Sequence, residues 1–161
     1  RRYKTKLYRT KIEKIVNEVK DVCIGADVIV GFPGETQQEF NKTLNFIKNL
    51  PLSYLHVFTY SERENTLAIN MDGIVSKPDR ADRSKQLRIL SNKLQRVFYE
   101  KYLNTIHTAL FEQENKEGYL FGFTDNYIKI KIPFADDYCQ TKKQVKLTLI
   151  DDDGIMKAEI I

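Results

Sequence analysis

The segment CIGADVIVGF, Cys23–Phe32, is nearly all apolar and ends abruptly at the turn PGET. It is too short for a surface helix. Such a run is typical of a strand that is buried on both faces, as in a parallel sheet covered by helices. Pro33 and Gly34 suit the two central positions of a type II turn, because glycine tolerates the positive φ that the second position requires. We therefore predict a buried strand that ends in a tight turn.

The end of this strand is a candidate ligand site. In parallel α/β sheets, ligands bind beyond the carboxyl ends of the strands. Gly31 would leave room for a ligand there, since it has no side chain. The turn is not a Walker loop, because no Gly-Lys-Ser/Thr sequence follows it. A tight strand-to-helix turn that binds nothing is the alternative interpretation.

Helix and strand signals flank the turn. Apolar residues recur at helical spacing ahead of it, at Leu7, Ile12, Ile15, Val16 and Val19. After the turn, Thr36 and Glu39 match a capping box that starts a helix. Tyr54–Tyr60 is rich in aromatic residues and indicates a second strand. The order helix, strand, helix, strand predicts a parallel sheet with right-handed crossovers.

The pattern of apolar residues changes near Asn104. Five short runs there are typical of strands, namely IHTALFE, GYLFGFT, NYIKIKIP, QVKLTLID and GIMKAEII. In NYIKIKI, isoleucines alternate with Tyr127, Lys129 and Lys131, which predicts one apolar and one polar face. These runs predict a small five-stranded β-barrel. The chain then divides into an α/β part over residues 1–75, a linking helix over 76–103 and the barrel over 104–161.

Basic residues are concentrated in the earlier part of the chain. The formal net charge of +4 combines +7 over residues 1–103 with −3 over residues 104–161. The helix near Pro78 has an apolar stripe, and its other face carries Arg80, Arg83, Lys85, Arg88, Lys93 and Arg96. Such a balance fits contact with a polyanion such as RNA. Solvated helix faces explain the same charge equally well.

The cysteine content excludes several kinds of site. The sequence contains two cysteines, Cys23 and Cys139, too few for a disulfide framework or a metal cluster. No apolar run approaches the roughly 20 residues that span a bilayer, and no signal peptide is visible. We therefore expect a cytoplasmic protein with no membrane contact. Because the chain begins at Arg1 rather than at a methionine, we also expect a fragment.

Two motifs together resemble a known family. IGADVIVGFPGETQQEF, followed further along by HVFTYSERENTLA, is similar to the C-terminal half of the radical S-adenosylmethionine methylthiotransferases. RRY at the start resembles an Arg-rich segment of that family, and EGYLFGFTDNYIKIKI resembles its terminal TRAM domain, a small RNA-binding barrel. HVFTYS is most similar to the members that methylthiolate N6-threonylcarbamoyladenosine beside the anticodon of tRNA. The implied fold is a partial radical SAM (β/α) barrel, then a helix and a five-stranded TRAM β-barrel.

The resemblance implies three groups of site residues. The adenosine side of S-adenosylmethionine would lie against Ile29, Gly31, Phe32, Val57 and Phe58. The substrate would meet Tyr60, Ser61, Arg63 and Thr66. Beyond the resemblance, we expect Tyr127, Lys129 and Lys131 to contact tRNA, with both lysines pointing to solvent and continuing the basic helix face. The alternatives are that Val57 and Phe58 are plain core, that His56 is a packed residue, and that Arg63 pairs with Glu35 or Glu62.

The family's reaction needs two [4Fe–4S] clusters held by cysteines. Because the Cys-x-x-x-Cys-x-x-Cys loop is missing here, we expect this fragment to bind no cluster and to be inactive alone. The two predicted strands are only part of the family's barrel, so we also expect an exposed sheet edge that favours self-association. Asn65 stands where the family often has glycine, and asparagine also tolerates a left-handed backbone. Two alternatives stay open. One is a sister enzyme acting on isopentenyladenosine in tRNA or on a ribosomal protein, and the other is a non-catalytic RNA-binding module.

Overall fold

The computed structural model describes residues 3–161, with the backbone alone at residues 114 and 115. The helices and strands are α1 (Thr5–Glu18), β1 (Gly25–Val30), α2 (Gln37–Lys48), β2 (Tyr54–Thr59), α3 (Lys77–Glu100), β3 (Ile106–Lys116), β4 (Tyr119–Thr124), β5 (Lys129–Pro133), β6 (Lys142–Ile150) and β7 (Met156–Ile160). None of the helices within these residues is long and apolar enough to cross a membrane. Arg1 and Arg2, which belong to the predicted Arg-rich segment, lie outside the described residues.

The contacts divide the chain into two compact units, Arg1–Leu94 and Gln95–Ile161. The division falls within α3, which supplies its first part to the first unit and its last turns to the second. The domain boundaries expected from the sequence, at residues 75 and 103, stay a prediction.

The first unit is a two-stranded parallel sheet with helices on one face. β1 and β2 pair in parallel, as the order of elements predicted. Val30 and Leu55 point toward the helices and are buried with residues of α1, α2 and α3. The core residues that these helices contribute are Ile12, Phe40, Ile47, Leu87 and Leu90.

The other face of this sheet is open. Burial alternates along β1, so that Val28 faces the helices and Asp27 and Ile29 face away from them. The prediction that this strand is buried on both faces is wrong for this chain, because the core residues of all three helices pack on the same side. A strand alternates its side chains between two faces, so the uncovered face keeps its apolar residues in solvent.

The predicted turn and cap are confirmed. Gly34 has a φ of +85°, and the Glu35 N–H donates to the Phe32 carbonyl at 3.0 Å, as a type II turn requires. At the start of α2, the Glu39 N–H donates to the Thr36 hydroxyl at 3.2 Å. The Thr36 N–H in turn donates to the Glu39 carboxylate at 2.9 Å, which completes the capping box.

The second unit is a closed five-stranded barrel, as predicted. Its strands follow the order β3-β4-β5-β7-β6, and all neighbouring pairs are antiparallel except β5 and β7. The barrel interior is apolar, with Phe111, Leu120, Ile130, Leu147 and Met156 fully buried. Alternation along the strands places these side chains inside and their neighbours outside.

Candidate functional site

The open face of the first unit presents an apolar patch near the carboxyl ends of its strands. Ile29 and Phe58 are register partners on β1 and β2, and they are 59% and 52% exposed. Two pairs earlier along the strands, and so on the same face, Asp27 lies beside His56. Side chains of this size are usually covered in folded proteins, so the patch is a candidate surface for an apolar or aromatic ligand.

The loop after β1 is fixed by its own carboxylate. Gly31 is buried with a φ of +78°, and its N–H donates to the Glu35 carboxylate at 2.7 Å. The Gly34 N–H donates to the Gly73 carbonyl at 2.8 Å. This bond joins the loop to the connector between β2 and α3, residues 60–76. These bonds hold the backbone beyond the strand end in one conformation.

Two arginines at the start of α3 tie the loop and the connector together. Arg83 Nη1 donates to the Glu35 carboxylate at 2.8 Å and to the Glu35 carbonyl at 2.9 Å. Arg80 donates to the carbonyls of Val75 and Tyr60, at 2.8 and 3.0 Å, and to the Glu62 carboxylate at 2.6 Å. The hydrogen bond from Arg80 lowers the pKa of Glu62, and the same bond raises the pKa of Arg80.

These arginines correct three expectations from the sequence. Arg80 and Arg83 are buried, so they are not part of a solvent-facing basic strip. Glu35 and Glu62 pair with these two residues rather than with Arg63. The space left by the missing Cβ of Gly31 is taken by the aliphatic part of the Arg80 side chain, not by an approaching ligand. The sequence does place Arg80 and Arg83 one helical turn apart, which indicates that they share a face of α3. That spacing does not specify their acidic partners.

Tyr60, the residue after β2, contacts both Phe32 and Arg80 at the strand end. Its ring makes an edge-to-face contact with Phe32, with ring centroids 5.4 Å apart, and the Arg80 guanidinium lies 5.3 Å from its centroid. The Tyr60 hydroxyl is buried and has no hydrogen-bond partner in the part of the chain whose side chains are described. The exposed Phe32 ring and its contact with Tyr60 extend the apolar patch with aromatic surface, which fits an aromatic ligand.

The structure brings together most of the predicted cofactor residues. Ile29, Phe32 and Phe58 are exposed at the strand ends, and the buried Gly31 follows β1 directly. Val57 is the exception, because it lies on the helix side of the sheet, packed against the core. Its side chain therefore belongs to the core, and only its backbone is shared with the open end.

The predicted substrate residues Ser61, Arg63 and Thr66 are exposed in the connector after β2. The Thr66 hydroxyl donates to the Arg63 carbonyl at 2.8 Å, which stabilises a local turn. Asn65 has a φ of +62°, as expected for asparagine in place of glycine. The Glu62–Arg80 ion pair anchors this exposed segment to α3.

The barrel carries an aromatic face that the sequence analysis only partly recognised. Tyr119, Phe121 and Phe123 point outward from β4, alternating with buried residues. Tyr127 stacks on Phe123, with ring centroids 5.0 Å apart and an interplanar angle of 25°. Lys129 Nζ lies 5.2 Å from the Phe121 centroid. The alternation in GYLFGFT was the sequence signal for Phe121 and Phe123.

Lys131 does not point freely to solvent, so that expectation is wrong. It is buried, its ammonium group pairs with the Asp151 carboxylate, and it lies 4.9 Å from the Tyr119 centroid. The hydrogen bond to Asp151 raises the pKa of Lys131. Burial acts to raise the pKa of Asp151, but bonds from Lys131 and from the Ile155 amide hold it below its ordinary value. Lys131 is therefore a structural residue of the barrel.

The residues of this chain do not form an iron–sulfur ligand set. Cys23 lies in the first unit and Cys139 in the second. Burial raises the pKa of the Cys23 thiol and thereby disfavours its thiolate, the form that binds metal. No group of three His, Cys, Asp or Glu residues suited to a metal occurs among residues 3–113 and 116–161.

Comparison with characterised proteins identifies relatives of the chain. It is 33% identical over 151 residues to a Bacillus subtilis (strain 168) protein named threonylcarbamoyladenosine tRNA methylthiotransferase MtaB, covering 91% of this chain and 34% of the relative. It is 36% identical over 124 residues to an Aquifex aeolicus (strain VF5) protein named tRNA-2-methylthio-N(6)-dimethylallyladenosine synthase, covering 77% of this chain and 28% of that protein. No family model matches the chain.

The chain spans about a third of the length of these relatives and corresponds to their C-terminal part. A second Aquifex aeolicus protein, also named threonylcarbamoyladenosine tRNA methylthiotransferase MtaB, is 34% identical over 145 residues, covering 88% of this chain and 33% of that relative. The similarity therefore extends over both units. The chain belongs to the family of radical S-adenosylmethionine methylthiotransferases.

Proposed function

We propose that this chain is the C-terminal part of a tRNA methylthiotransferase. In this proposal the whole protein adds a methylthio group to C2 of N6-threonylcarbamoyladenosine beside the anticodon of tRNA in the cytoplasm. The observation that carries the proposal is the similarity of 91% of the chain to a protein named for that activity. The open apolar end of the first sheet and the aromatic face of the barrel support it as surfaces for a nucleoside and for RNA.

In this proposal the adenosine part of S-adenosylmethionine lies against Ile29 and Phe58. Phe32 and Tyr60, whose rings are in edge-to-face contact, would border the adenine. The β2 backbone at Val57 is the remaining contact. S-adenosylmethionine supplies the methyl group and the radical for such a reaction, while the protein binds and orients it.

The turn after β1, residues 31–36, would fix the position of this surface. Glu35 fixes the Gly31 amide, and Arg83 fixes Glu35. A preorganised loop loses less conformational freedom when a ligand binds, which favours affinity. Iron–sulfur clusters would be held elsewhere in the whole protein, because the two cysteines of this chain do not form a ligand set.

The exposed connector would face the modified nucleoside. Ser61, Arg63 and Thr66 offer hydroxyl and guanidinium groups, and Arg63 could pair with the carboxylate of a threonylcarbamoyl group. The barrel would hold the tRNA through Tyr127 and Lys129. Lys131, which is paired with Asp151, would stabilise the barrel rather than contact the RNA.

A second candidate is modification of isopentenyladenosine. The observation that favours it is the 36% identity to a protein named tRNA-2-methylthio-N(6)-dimethylallyladenosine synthase. An apolar substituent would gain nothing from Arg63, whereas a carboxylate would. The two candidates therefore differ in whether Arg63→Ala lowers activity.

The test uses the full-length protein that contains this chain, with its clusters reconstituted under anaerobic conditions. It is incubated with S-adenosylmethionine and tRNA carrying either modified adenosine, and the nucleosides are separated by mass spectrometry. We expect the 2-methylthio product from threonylcarbamoyladenosine. Product only from isopentenyladenosine would establish the second candidate. Absence of both products from a cluster-loaded protein that still binds tRNA would favour a non-catalytic RNA-binding module.

A matched pair of variants tests the cofactor surface separately. Ile29→Ser removes an exposed apolar side chain at the strand end, and Ile89→Ser removes a similarly exposed one on α3. We expect Ile29→Ser to weaken binding of S-adenosylhomocysteine, measured by calorimetry, and Ile89→Ser to leave it unchanged. Equal behaviour of the two variants would place the adenosine elsewhere.

A further inference from the structure

The outward residues of β4 are unusual for a strand whose outer face meets water. Tyr119, Phe121 and Phe123 occupy successive outward positions. The outer positions of an antiparallel strand are normally polar when one face is solvated. On the neighbouring strand, Leu110 is the register partner of Phe123 and is half exposed. The barrel therefore presents a continuous band of apolar and aromatic side chains on its outside.

Tyr127 extends this band from an unfavourable backbone conformation. Its φ is +65°, in the left-handed region where a residue with a side chain is disfavoured and glycine is not. The ring is 58% exposed and stacks on Phe123. A large aromatic residue held in this conformation indicates that its ring has a use that glycine could not serve.

The charge beside these rings is local and modest. Lys129 is half-buried and lies over Phe121, whereas Lys131 is held by Asp151. Residues 104–161 carry a net charge of −3, so the barrel as a whole does not attract a polyanion. A double helix is bound mainly through many phosphate contacts, and its bases are hidden in the stack. Stacked aromatics with one nearby lysine suit an unpaired base instead.

We propose that Phe123 and Tyr127 form a stacking site for an unpaired RNA base, with Lys129 on an adjoining phosphate. This inference rests on the proposed function for the identity of the ligand as RNA. The aromatic rings provide sequence-tolerant affinity, because every base has a face that can stack. Lys129 adds a single charge contact.

The test measures binding of the full chain to a labelled single-stranded oligouridylate and to a labelled RNA duplex by fluorescence anisotropy. Tyr127→Gly removes the ring and relieves the positive φ, and its melting curve checks that the barrel stays folded. Loss of one base stack should weaken oligouridylate binding by about 5- to 150-fold. Tyr127→Phe keeps the ring and should retain binding. Tyr138→Leu is the matched control, because Tyr138 also lies beneath a lysine, Lys143, in the same barrel.

Salt dependence separates stacking from charge. Tyr127→Gly should leave the slope of log affinity against log salt unchanged, whereas Lys129→Ala should lower its magnitude by about 0.7. The chain contains no tryptophan, so Phe123→Trp adds a single reporter. We expect oligouridylate to quench its fluorescence by stacking on the ring.

Three results would overturn the inference. If Tyr127→Gly binds oligouridylate as well as the parent while Tyr138→Leu does not, the stacking site is misplaced, although RNA binding itself stands. Tighter binding of the duplex than of the single strand would show that phosphates rather than bases are contacted. If the parent chain binds neither RNA at low salt, the RNA-binding part of the proposed function fails with the inference, and the aromatic band is better explained as a protein contact.

Discussion

Arg83 Nη1 donates to both the carboxylate and the backbone carbonyl of Glu35, at 2.8 and 2.9 Å. The same carboxylate accepts the Gly31 N–H at 2.7 Å. The side chains of Arg83 and Glu35 are 6% and 16% exposed, so the ion pair is largely removed from water. The first turns of α3 are thereby bonded to the end of β1, which makes the pair a structural requirement of the strand-end loop.

Replacing Arg83 should be costly. Arg83→Met leaves the Glu35 carboxylate largely buried without its cation, and we expect a loss of about 2 to 4 kcal/mol in the free energy of unfolding. Urea denaturation measures it. Arg88→Met on the exposed side of the same helix is the control and should change stability by no more than about 0.5 kcal/mol. Equal effects of the two changes would mean that the pair does not stabilise the fold.

Gly31 and Gly34 offer a matched test of steric contact. Both have positive φ, but a Cβ at Gly31 would collide with the Arg80 side chain, whereas a Cβ at Gly34 has open space within 4 Å. Gly34→Ala should therefore show backbone strain alone, about 1 kcal/mol or somewhat more. Gly31→Ala should be clearly worse, and its excess should shrink in an Arg80→Ala background. An unchanged excess in that background would contradict the contact.

The Lys131–Asp151 pair should make the barrel acid-sensitive. The pKa of Asp151 is lowered from its ordinary value of 3.8, so its contribution to stability is fully present above pH 3.8 and is lost as the pH falls through the folded pKa. Lys131 behaves oppositely, because its raised pKa keeps its contribution up to pH 10.5 and loses it above the folded pKa. Lowering the pH below 3.8 should reduce the free energy of unfolding of the parent by more than that of Asp151→Asn, as measured by urea denaturation at each pH. Asp152→Asn, an exposed neighbour, should follow the parent.

The open sheet face should promote self-association. Ile29 and Phe58 remain in solvent, and the first unit is a sheet of two strands whose outer edges lack a partner strand in that sheet. Exposed apolar surface and free strand edges both favour contact between copies. Sedimentation of the chain should show oligomers that Phe58→Lys reduces. A strict monomer at high concentration would rule this out.

The chain reconstituted with iron and sulfide should bind no [4Fe–4S] cluster stoichiometrically. The family's cluster loop has three cysteines, and this sequence supplies two. Visible absorption after desalting gives the occupancy. A band near full occupancy that disappears in Cys23→Ser or Cys139→Ser would refute the prediction.

Local signals in the sequence predicted local structure well. The capping box, the type II turn and the alternation in β5 depend on residues a few positions apart, so nearby chemistry specifies them. The parallel pairing of β1 and β2 also followed, because a helix between two strands leaves little other choice.

The errors concern long side chains and distant partners. Arg83 pairs with Glu35 across 48 positions of sequence, and Arg80 with Glu62 across 18. Nothing in the helical periodicity of α3 distinguishes these arginines from the exposed Arg88. Lys131 was likewise assigned to solvent because of its alternation with isoleucines, although an outward residue can still be buried by a neighbouring loop. The apolar composition of β1 shows that both faces tolerate burial, not that this chain covers them.

Four backbone amides in the turn after β1 are already bonded. The N–H groups of Gly31, Gly34, Glu35 and Thr36 donate to acceptors within the first unit. Phosphate-binding loops depend on backbone amides that point at the anion. In this turn the Glu35 carboxylate, which is itself paired with Arg83, accepts the Gly31 amide instead. These four amides are therefore not free to hold a phosphate group, whereas an uncharged nucleoside does not need them.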